Sequence, residues 1–494
     1  MATAVVLTSA AVLLVASGTG RAQTPVHRVN AGGPKVSSTP DWLKDTKRKP
    51  SPFVNATATG NVTKKVSATI DLGDGSIPAG TPQAIFQSAR IDPSAAPSLQ
   101  WDLQVTSGTY TVRLYFAEIV PAFQAVGART FDVEIEGTQV LDGYDIFAEV
   151  GAYAGTVESF DVATEGNLDI DFLPGAAGMQ PMVNAIEVEP TGTLDGAWRD
   201  ETNLPVNRAE VAYVEVGGEF HLFGGGTSHH IYDPATSTWS NGAPLPFKIH
   251  HIQAAVVGGK VYLLGGLTSW PSGDVGTVFV YDPDTDTIMQ GTPMPAARQR
   301  GAGGVAVHGG LVYYAGGLHG GTAVRWFDAY DPVSDSWTQL PDMPTPRDHF
   351  HAAVLDGRLW AIGGRNADIN AVTTANEAYD FSTGAWSTGY APLPTPRGGF
   401  AAVALDGRIF VIGGEGFGQT WPNVEAFTPP PAGSGEPGVW QAFAQMPNPR
   451  HGIQGAVCNG GIYIAGGASD QGGGNAVNTH DALFPAGTPT SCTG

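Results

Sequence analysis

Five arginines occupy the same position of a unit that recurs along the chain. Each lies sixteen residues before a pair of glycines, and in a sixth unit that position is Ile249, with Lys248 beside it. The five are Arg208, Arg300, Arg347, Arg397 and Arg450. Guanidinium groups that converge on one point can hold a carboxylate or a sulfate through paired hydrogen bonds. The alternative is that each arginine bonds neighbouring loops and serves only to hold the fold.

Residues that differ from unit to unit lie near these arginines and just after the glycine pairs. A specific site needs unlike residues at equivalent places, whereas residues that hold the fold recur in every unit. The candidate ligand-binding residues are Trp270, His319, His349, Arg365, Glu415 and His451, with Glu210, His229, His230, His250, His251, Asp348, His351, Asn366 and Asp470 nearby.

Two of these histidines suggest a metal site, which we do not expect to exist. If His349-Phe350-His351 is a strand, both imidazoles lie on one face of it, and His250, His251 or His451 could complete a ligand set. A pair of histidines on a strand is more often packed or hydrogen-bonded. We therefore predict no metal and no other cofactor.

The elements that must position these residues are short strands. Six apolar runs end in two glycines, and Asp-Gly or Gly-Gly pairs such as Asp356-Gly357 precede the runs and favour two-residue hairpin turns. A third strand follows and ends in Tyr-Asp-Pro or a variant, and a tryptophan stands seven residues after the tyrosine in three units. The runs are Phe220–Phe223, Val261–Leu264, Val312–Ala315, Leu359–Ile362, Ile409–Ile412 and Ile462–Ala465. Six units of four short strands, the first of them strands such as Ala352–Leu355 and Ala401–Leu405, predict an all-β, six-bladed propeller. In this register, the loops that enter the first strands and the loops that follow the glycine pairs surround one mouth of the central channel.

The glycine pair, the tyrosine and the tryptophan together resemble the kelch motif. Departures are local: Ile288 replaces the tryptophan in the second repeat, and Phe427 replaces the tyrosine in the fifth, where Trp440 follows late. Trp198 has no strand before it, and the last unit has no tryptophan strand, so we expect the segment at Trp198 to form the outer strand of the last blade. Cys458 and Cys492 could form one disulfide that holds the tail.

The first third of the chain lacks the repeated unit and shows the alternating strands of a β-sandwich, which we predict at 110–116, 131–135, 168–172 and 185–188. Strings in this part resemble the malectin family, a carbohydrate-binding domain. They are residues 28–33 (RVNAGG), 86–90 (FQSAR), 110–118 (YTVRLYFAE), 131–137 (FDVEIEG), 145–147 (DIF) and 184–187 (NAIE).

The resemblance implies a sugar site of loop aromatics and a carboxylate, in which Phe86, Glu118 and Phe123 are the candidates. The aromatic pair expected after Glu118 is Val120-Pro121 here, and Met179 or Gln180 stands where an aspartate is expected. The site is therefore altered or lost. A purely structural sandwich is the alternative.

The apolar run Val5–Val15 indicates a cleaved signal peptide and hence an exported protein without stable membrane insertion. We predict a signal peptide at 1–22, a malectin-like sandwich at 24–190, a linker at 191–197, a kelch propeller at 194–486 and a tail at 487–494. A net charge of −21, from 46 acidic and 25 basic residues, argues against nucleic acid as a partner.

These features predict an exported, non-enzymatic protein that binds a saccharide through the sandwich and the loop face of the propeller. The propeller also resembles secreted sialic-acid mutarotases, which implies the alternative of a sugar isomerase with Glu415 or Glu210 as base. An oxidase that acts at the propeller mouth is grouped with this alternative. A scaffold that binds another protein is the third possibility.

Overall fold

The computed structural model describes residues 26–38, 40–55, 60–93, 99–106, 108–164, 166–175, 180–191, 195–487, 490 and 492. The predicted signal peptide, residues 192–194 of the predicted linker and most of the predicted tail lie outside these residues. None of the helices in the described part is long and apolar enough to cross a lipid bilayer.

Twelve strands form the N-terminal domain. They are β1 (His27–Asn30), β2 (Leu43–Lys44), β3 (Val62–Lys65), β4 (Ser88–Ile91), β5 (Leu99–Gln104), β6 (Gly108–Ala117), β7 (Phe131–Ile135), β8 (Thr138–Tyr144), β9 (Gly155–Thr164), β10 (Asn167–Pro174), β11 (Met182–Val183) and β12 (Ala185–Pro190). Their sheets have the orders β2-β1-β12-β6-β9, β5-β10-β7-β8 and β11-β4-β3. The strands predicted at 110–116, 131–135, 168–172 and 185–188 are all present.

Short helices connect some of these strands. Helix α1 (Ile146–Val150) begins after Asp145, whose side chain accepts a hydrogen bond of 3.1 Å from the amide of Ala148. This contact satisfies an amide that the first helical turn leaves without a partner. Two single-turn 3-10 helices lie at Gln83–Ile85 and Pro121–Phe123.

Thirty strands form the second domain. They are β13 (Ala197–Asp200), β14 (Val211–Val216), β15 (Glu219–Gly224), β16 (His229–Asp233), β17 (Thr238–Gly242), β18 (Gln253–Val257), β19 (Lys260–Leu264), β20 (Val278–Asp282), β21 (Thr287–Gly291), β22 (Gly304–His308), β23 (Leu311–Ala315), β24 (Leu318–His319), β25 (Thr322–Ala323), β26 (Phe327–Asp331), β27 (Ser336–Leu340), β28 (Ala352–Leu355), β29 (Arg358–Ile362), β30 (Asn376–Asp380), β31 (Ala385–Ser387), β32 (Ala401–Leu405), β33 (Arg408–Ile412), β34 (Glu415–Gly416), β35 (Gln419–Thr420), β36 (Val424–Thr428), β37 (Val439–Phe443), β38 (Gly455–Cys458), β39 (Gly461–Ala465), β40 (Ala468–Asp470), β41 (Gly474–Ala476) and β42 (His480–Phe484). A 3-10 turn lies at Ala296–Arg298.

These strands build a six-bladed propeller. Six four-stranded sheets have the orders β14-β15-β16-β17, β18-β19-β20-β21, β22-β23-β26-β27, β28-β29-β30-β31, β32-β33-β36-β37 and β13-β42-β39-β38. The first strand of each blade contacts the first strand of the next, and β38 contacts β14, so the six blades close into a ring. Because β13 pairs with β42, with Trp198 opposite Leu483, the expected closure by the segment at Trp198 is confirmed.

The repeated motif residues hold neighbouring blades together. Tyr330 lies opposite Trp337 in adjacent strands, and the indole nitrogen of Trp337 donates to the carbonyl of Thr292 in the connection after the preceding blade. A Cβ at Gly316, where φ is +60°, would lie 2.5 Å from the carbonyl oxygen of Arg347. The glycine pair is therefore the place where the loop of the next blade passes, which a side chain would obstruct.

The expected disulfide is present. Cys458, at the end of β38, is bonded to Cys492. Cys492 is buried among Leu204, Tyr213 and other core residues, so this part of the tail packs against the last and first blades.

The hairpin of the fifth blade made of β34 and β35 packs against the sandwich domain. Phe417 at its tip contacts Phe53 with ring centroids 6.1 Å apart, and Lys35 Nζ donates to the carbonyl of Gly418 over 2.5 Å. Trp421 follows the hairpin, is fully buried and belongs to the core of the sandwich domain. The two domains therefore share a core residue.

Candidate functional site

The mouth of the propeller is the end of the channel where the predicted site residues lie. There, the loops that enter the first strands and the loops that follow the glycine pairs lie side by side, as the repeat register predicts. Bridges join Asp348 to Arg365 and His451 to Ala468. The two sets of loops therefore surround one opening.

A closed ring of main-chain hydrogen bonds surrounds the axis at this end. One residue of each blade takes part, two positions after the recurring arginine, and all six have a left-handed backbone with φ between 52° and 68°. Five of the six amides donate to the carbonyl of the preceding member over 2.7–3.2 Å, and the amide of Val211, next to the sixth member, closes the ring to the carbonyl of Gly452 at 3.3 Å. We call Glu210, His251, Ala302, His349, Gly399 and Gly452 the axial ring.

Three members of the axial ring bring functional groups together. Nε2 of His251 lies 2.8 Å from Nε2 of His349 and 3.2 Å from Oε2 of Glu210. All three side chains line a cavity of about 20 Å³ in the channel. A Cβ at Gly452 would lie 2.6 Å from Oε1 of Glu210, so a glycine there leaves room for the carboxylate.

The backbone of the axial ring points to a function for these side chains. A left-handed conformation costs a residue other than glycine on the order of 1–3 kcal/mol. The fold accepts glycine at two of the six positions, yet three others carry glutamate or histidine. Because glycine would close the ring without this strain, glutamate and histidine at these positions are expected to have a function in their side chains.

Arg365 connects these groups to two further carboxylates. Its Nη2 lies 2.8 Å from Nε2 of His349, its Nε lies 3.3 Å from Oδ1 of Asp348, and its Nη1 donates to Oε1 of Glu415. Asp348 also bonds Nδ1 of His349. Because Glu210, Asp348 and Glu415 outnumber the one guanidinium, this cluster carries an excess of negative charge.

Trp270 covers this cluster from the solvent side. Its ring stacks on His251 at 5.4 Å with an interplanar angle of 25° and meets the ring of His349 edge-on at 5.5 Å. The guanidinium carbon of Arg365 lies 5.6 Å from the centroid of the Trp270 rings. The side chain nevertheless remains 51% exposed, which is unusual for a tryptophan and leaves ring surface free for a ligand.

Burial determines the protonation of the cluster. It lowers the pKa of His251 and His349 well below the usual histidine value, and the charge of Arg365 lowers both further. Burial likewise lowers the pKa of His351 to about 4. The imidazoles are therefore neutral at pH 7. Burial raises the pKa of Asp348 to about 6, against the opposing effect of Arg365.

The five recurring arginines do not present their charges at the mouth. Their side chains are 0–7% exposed and point into the blades. Arg450 donates to the carbonyls of Gly466, Ile464 and Asn448 and to Asp481 over 2.6–3.0 Å, which uses all three of its nitrogens.

The other four recurring arginines make similar contacts. Equivalent ion pairs join Arg300 to Asp328, Arg347 to Glu377 and Arg397 to Glu425. Arg208 donates to the carbonyls of Gly224 and Ser228. These hydrogen bonds and ion pairs favour the alternative in which the five arginines hold the fold. We therefore remove the five arginines from the candidate ligand-binding residues.

His451 belongs to the cluster, whereas His319 has separate partners. Nε2 of His451 lies 3.5 Å from Glu415 and its Nδ1 lies 3.6 Å from Glu210, so this ring bridges two of the carboxylates. Nδ1 of His319 lies 2.9 Å from a carboxylate oxygen of Asp274, on a neighbouring loop.

The strand expected at His349–His351 begins later, at Ala352. His349 is left-handed because its amide donates to Ala302 in the axial ring, which a strand conformation does not permit. Both imidazoles still line the same cavity. Of the other nearby candidates, His229 lies in β16 and its ring nitrogen is 2.9 Å from that of His221, inside the first blade.

The sugar-site candidates of the sandwich domain are mostly inaccessible. Phe86 and Glu118 are fully buried. Glu118 accepts from Nε of Arg129 at 2.7 Å and from the amide of Val120 at 2.8 Å. Phe123 is half-buried, with the guanidinium of Arg129 3.9 Å from its ring centroid. Neither Phe86 nor Glu118 is placed to contact a ligand, and Phe123 alone retains exposed surface.

The axial ring is the part of the candidate site that the sequence analysis did not identify. Its signal was present in the repeat register, because the second residue after the recurring position is glycine in the last two units. When the repeats are aligned, a position at which some repeats have glycine is a candidate for a left-handed backbone. Glu210, His251 and His349 occupy this aligned position in three of the repeats. Within the described part of the chain, they form the one group of three potential metal ligands.

Comparison with known proteins agrees with this architecture. The sequence model of the malectin domain matches residues 25–186, and that of the kelch motif matches residues 250–295, 299–344 and 346–389. The chain is 32% identical to Kelch-like protein terF of Aspergillus terreus over 325 residues, which are 59% of this chain and 69% of that protein. It is 25% identical to human Kelch-like protein 23 over 311 residues, 61% of this chain and 52% of the relative.

A solved structure of YjhT covers 57% of this chain with a TM-score of 0.49 and 17% identity, and 96% of YjhT is matched. The chain thus spans about two thirds of one curated relative and half of another. Through its kelch repeats and its similarity to Kelch-like protein terF, the chain belongs to the kelch-like proteins, with a malectin domain ahead of its propeller.

Proposed function

We propose that this protein binds a saccharide at the mouth of its propeller. The observation that supports the proposal is the half-exposed Trp270, whose ring lies over buried polar groups of the axial ring. Sugars combine apolar ring faces, which stack on aromatic side chains, with hydroxyls that exchange hydrogen bonds with charged groups. Trp270 offers the first kind of contact, and the partly exposed carboxylate of Glu210 offers the second.

The charge of the site favours an uncharged saccharide. Arg365 is already engaged by Asp348 and Glu415. The remaining excess of carboxylates would repel a sugar acid, so the acidic ligand expected from a ring of free arginines is not the one we propose. Neutral hydroxyl groups can donate to the carboxylates without this repulsion.

The propeller is the better candidate of the two domains. Phe86 and Glu118 of the sandwich are buried and already have partners, so a sugar would have to displace core contacts to reach them. We infer that the malectin domain contributes mainly as a structural partner, through its contact with the hairpin of the fifth blade.

Export of the protein is part of the proposal. It is supported by the apolar run at residues 5–15 and by the Cys458–Cys492 disulfide, since such bonds persist mainly in oxidising compartments. A protein-binding scaffold is a second candidate function, because the relatives that the chain resembles include a mouse homolog of the Influenza virus NS1A-binding protein, 37% identical over 99 residues.

The isomerase alternative has a weaker candidate base than the sequence indicates. Glu415 is 1% exposed, pairs with Arg365 and accepts from the amide of Gly472 over 2.7 Å. Both of its oxygens are therefore occupied. Glu210 is the freer carboxylate of the two, and an optical-rotation assay with Glu210→Gln would test it.

A glycan array with the full-length protein tests the proposal. We expect retention of neutral saccharides, and we expect Trp270→Ala to reduce affinity by about tenfold or more, because stacking contributes on the order of 1–2 kcal/mol. Isothermal titration calorimetry with the best array ligand measures the change.

Phe123→Ala is the matched control, since it removes an aromatic side chain from the sandwich domain, and it should bind as the wild type does. Loss of binding in Phe123→Ala with normal binding in Trp270→Ala would move the site to the sandwich. If no saccharide is retained on the array, and a pull-down recovers a protein partner both with and without added sugar, the function as a protein-binding scaffold would be favoured.

A further inference from the structure

The three functional side chains of the axial ring are spaced like ligands of one metal ion. Nε2 of His251, Nε2 of His349 and a carboxylate oxygen of Glu210 all lie within 4.8 Å of one another, and two of the three separations are 2.8 and 3.2 Å. Bonds of about 2.0–2.2 Å to nitrogen and oxygen place neighbouring ligand atoms roughly 3–3.5 Å apart. Small movements of the side chains would therefore suffice to surround an ion.

The groups behind the two histidines orient them for this purpose. Asp348 bonds Nδ1 of His349, which keeps the proton on Nδ1 and turns the lone pair of Nε2 toward the axis. Nδ1 of His251 lies 2.5 Å from Nδ1 of His250, which can accept its proton in the same way. Metal-binding histidines typically have such a partner on the ring nitrogen away from the metal.

The charges of the cluster also match a divalent cation. Three carboxylates, those of Glu210, Asp348 and Glu415, surround the single guanidinium of Arg365, so carboxylates exceed guanidinium groups by two. A doubly charged ion would neutralise the remainder. Without it, buried negative charge of this kind lacks full compensation, which is costly in a protein interior.

The axial ring shows that these residues are present for a reason other than the fold. Its other members are Ala302, Gly399 and Gly452, so three of the six blades close the same main-chain ring without a functional group. Glutamate and two histidines in left-handed conformations add strain that the ring does not need. Metal binding would offset that strain.

We propose that Glu210, His251 and His349 bind one divalent transition-metal ion on the propeller axis. Two imidazoles and one carboxylate favour zinc and the neighbouring first-row metals, and three protein ligands leave coordination positions for water or a ligand hydroxyl. The cavity that the three residues line provides that space. Arg365 would release Nε2 of His349 and keep its contacts with Asp348 and Glu415.

Metal titration of the full-length, chelator-treated protein tests this site. With Zn²⁺ as the probe, isothermal titration calorimetry should give one equivalent bound, and elemental analysis after gel filtration should give one zinc per chain. Co²⁺ should give visible absorption bands of a low-symmetry site with nitrogen ligands. The variant His251→Ala/His349→Ala should bind zinc at least 100-fold more weakly.

Two further variants keep the test decisive. Glu210→Gln preserves the size of the side chain and should weaken zinc binding by about tenfold to 100-fold, in the range seen when metal-site partners are lost. His229→Gln removes a buried histidine from the pair inside the first blade and should leave zinc affinity unchanged. Failure of the wild type to bind zinc or cobalt, or equal affinity in Glu210→Gln and the wild type, would overturn the proposal. The metal titration needs no sugar, so its outcome is independent of saccharide binding.

Discussion

At the scale of single residues, the recurring arginines show why position and side-chain direction must be distinguished. The repeat register correctly gives an arginine at the same place in five of the six blades. The direction of the side chain depends on carbonyls of the strand that follows and on an acidic residue of the third strand, which lie far apart in the sequence. Arg450 and Asp481 are 31 residues apart and both buried. The same residue type therefore serves packing at five positions, whereas Arg365 bonds the acidic groups at the mouth.

The variant Arg450→Met should destabilise the protein by about 3–5 kcal/mol, because it leaves Asp481 buried without its ion-pair partner. Chemical denaturation followed by tryptophan fluorescence measures the loss. The double variant Arg450→Met/Asp481→Asn should recover part of it, since the unpaired charge is then absent. Wild-type stability in the single variant would contradict the assignment of Arg450 to the fold.

At the scale of elements, the hairpin of β34 and β35 connects the propeller mouth to the other domain. Glu415 at its start pairs with Arg365, and Phe417 at its tip packs on Phe53 of the sandwich. Trp421, which follows, completes the sandwich core. One short element therefore contacts both the candidate site and the domain interface.

Trp421→Ala should weaken the domain interface by about 3–5 kcal/mol, the usual range for truncating a buried tryptophan. Differential scanning calorimetry should then resolve two transitions where the wild type gives one, as the sandwich and the propeller unfold separately. Val333→Ala, at a residue that is 96% exposed, is the control and should leave the profile unchanged. A single transition at the wild-type temperature in Trp421→Ala would show that the interface does not couple the domains.

Some elements of the fold could be predicted from the sequence and others could not. Strands between Asp-Gly turns and glycine pairs follow from local patterns, and the strands predicted at Ala352–Leu355 and Ala401–Leu405 have these bounds in the structure. The hairpin of β34 and β35 has two residues in each strand and no apolar alternation, so no pattern reveals it. Its contact with Phe53 spans more than 360 residues of sequence, a distance at which a single chain gives no signal.

At the scale of the whole molecule, buried neutral histidines make stability depend on pH. Burial lowers the pKa of His221 to about 4 and that of His229 and His480 to about 3. In the unfolded chain these groups take up protons near pH 6.5, whereas in the folded protein they do not. Their contribution to stability is therefore full above pH 6.5 and is lost as the pH falls toward the folded values.

The free energy of unfolding should fall between pH 6.5 and pH 4.5 by on the order of 1 kcal/mol per pH unit for each of these histidines. Denaturation at several pH values measures the slope. His480→Gln should reduce the change in the free energy of unfolding per pH unit by the contribution of one histidine, even if the variant is also less stable at pH 7. A slope identical to that of the wild type would show that His480 is not protonated on unfolding in this range.

The axial ring limits how the centre of the molecule can vary. Five of its six amides donate to carbonyls of the ring itself, so recognition along the axis depends mainly on the six side-chain positions. A side chain at Gly452 would strike Glu210, and one at Gly399 would lie 3.2 Å from a main-chain nitrogen. Ala302 lines the cavity and already carries a side chain in the left-handed conformation, so asparagine or aspartate, which tolerate that backbone, are the substitutions there that would add a polar group to the axis with the least backbone strain.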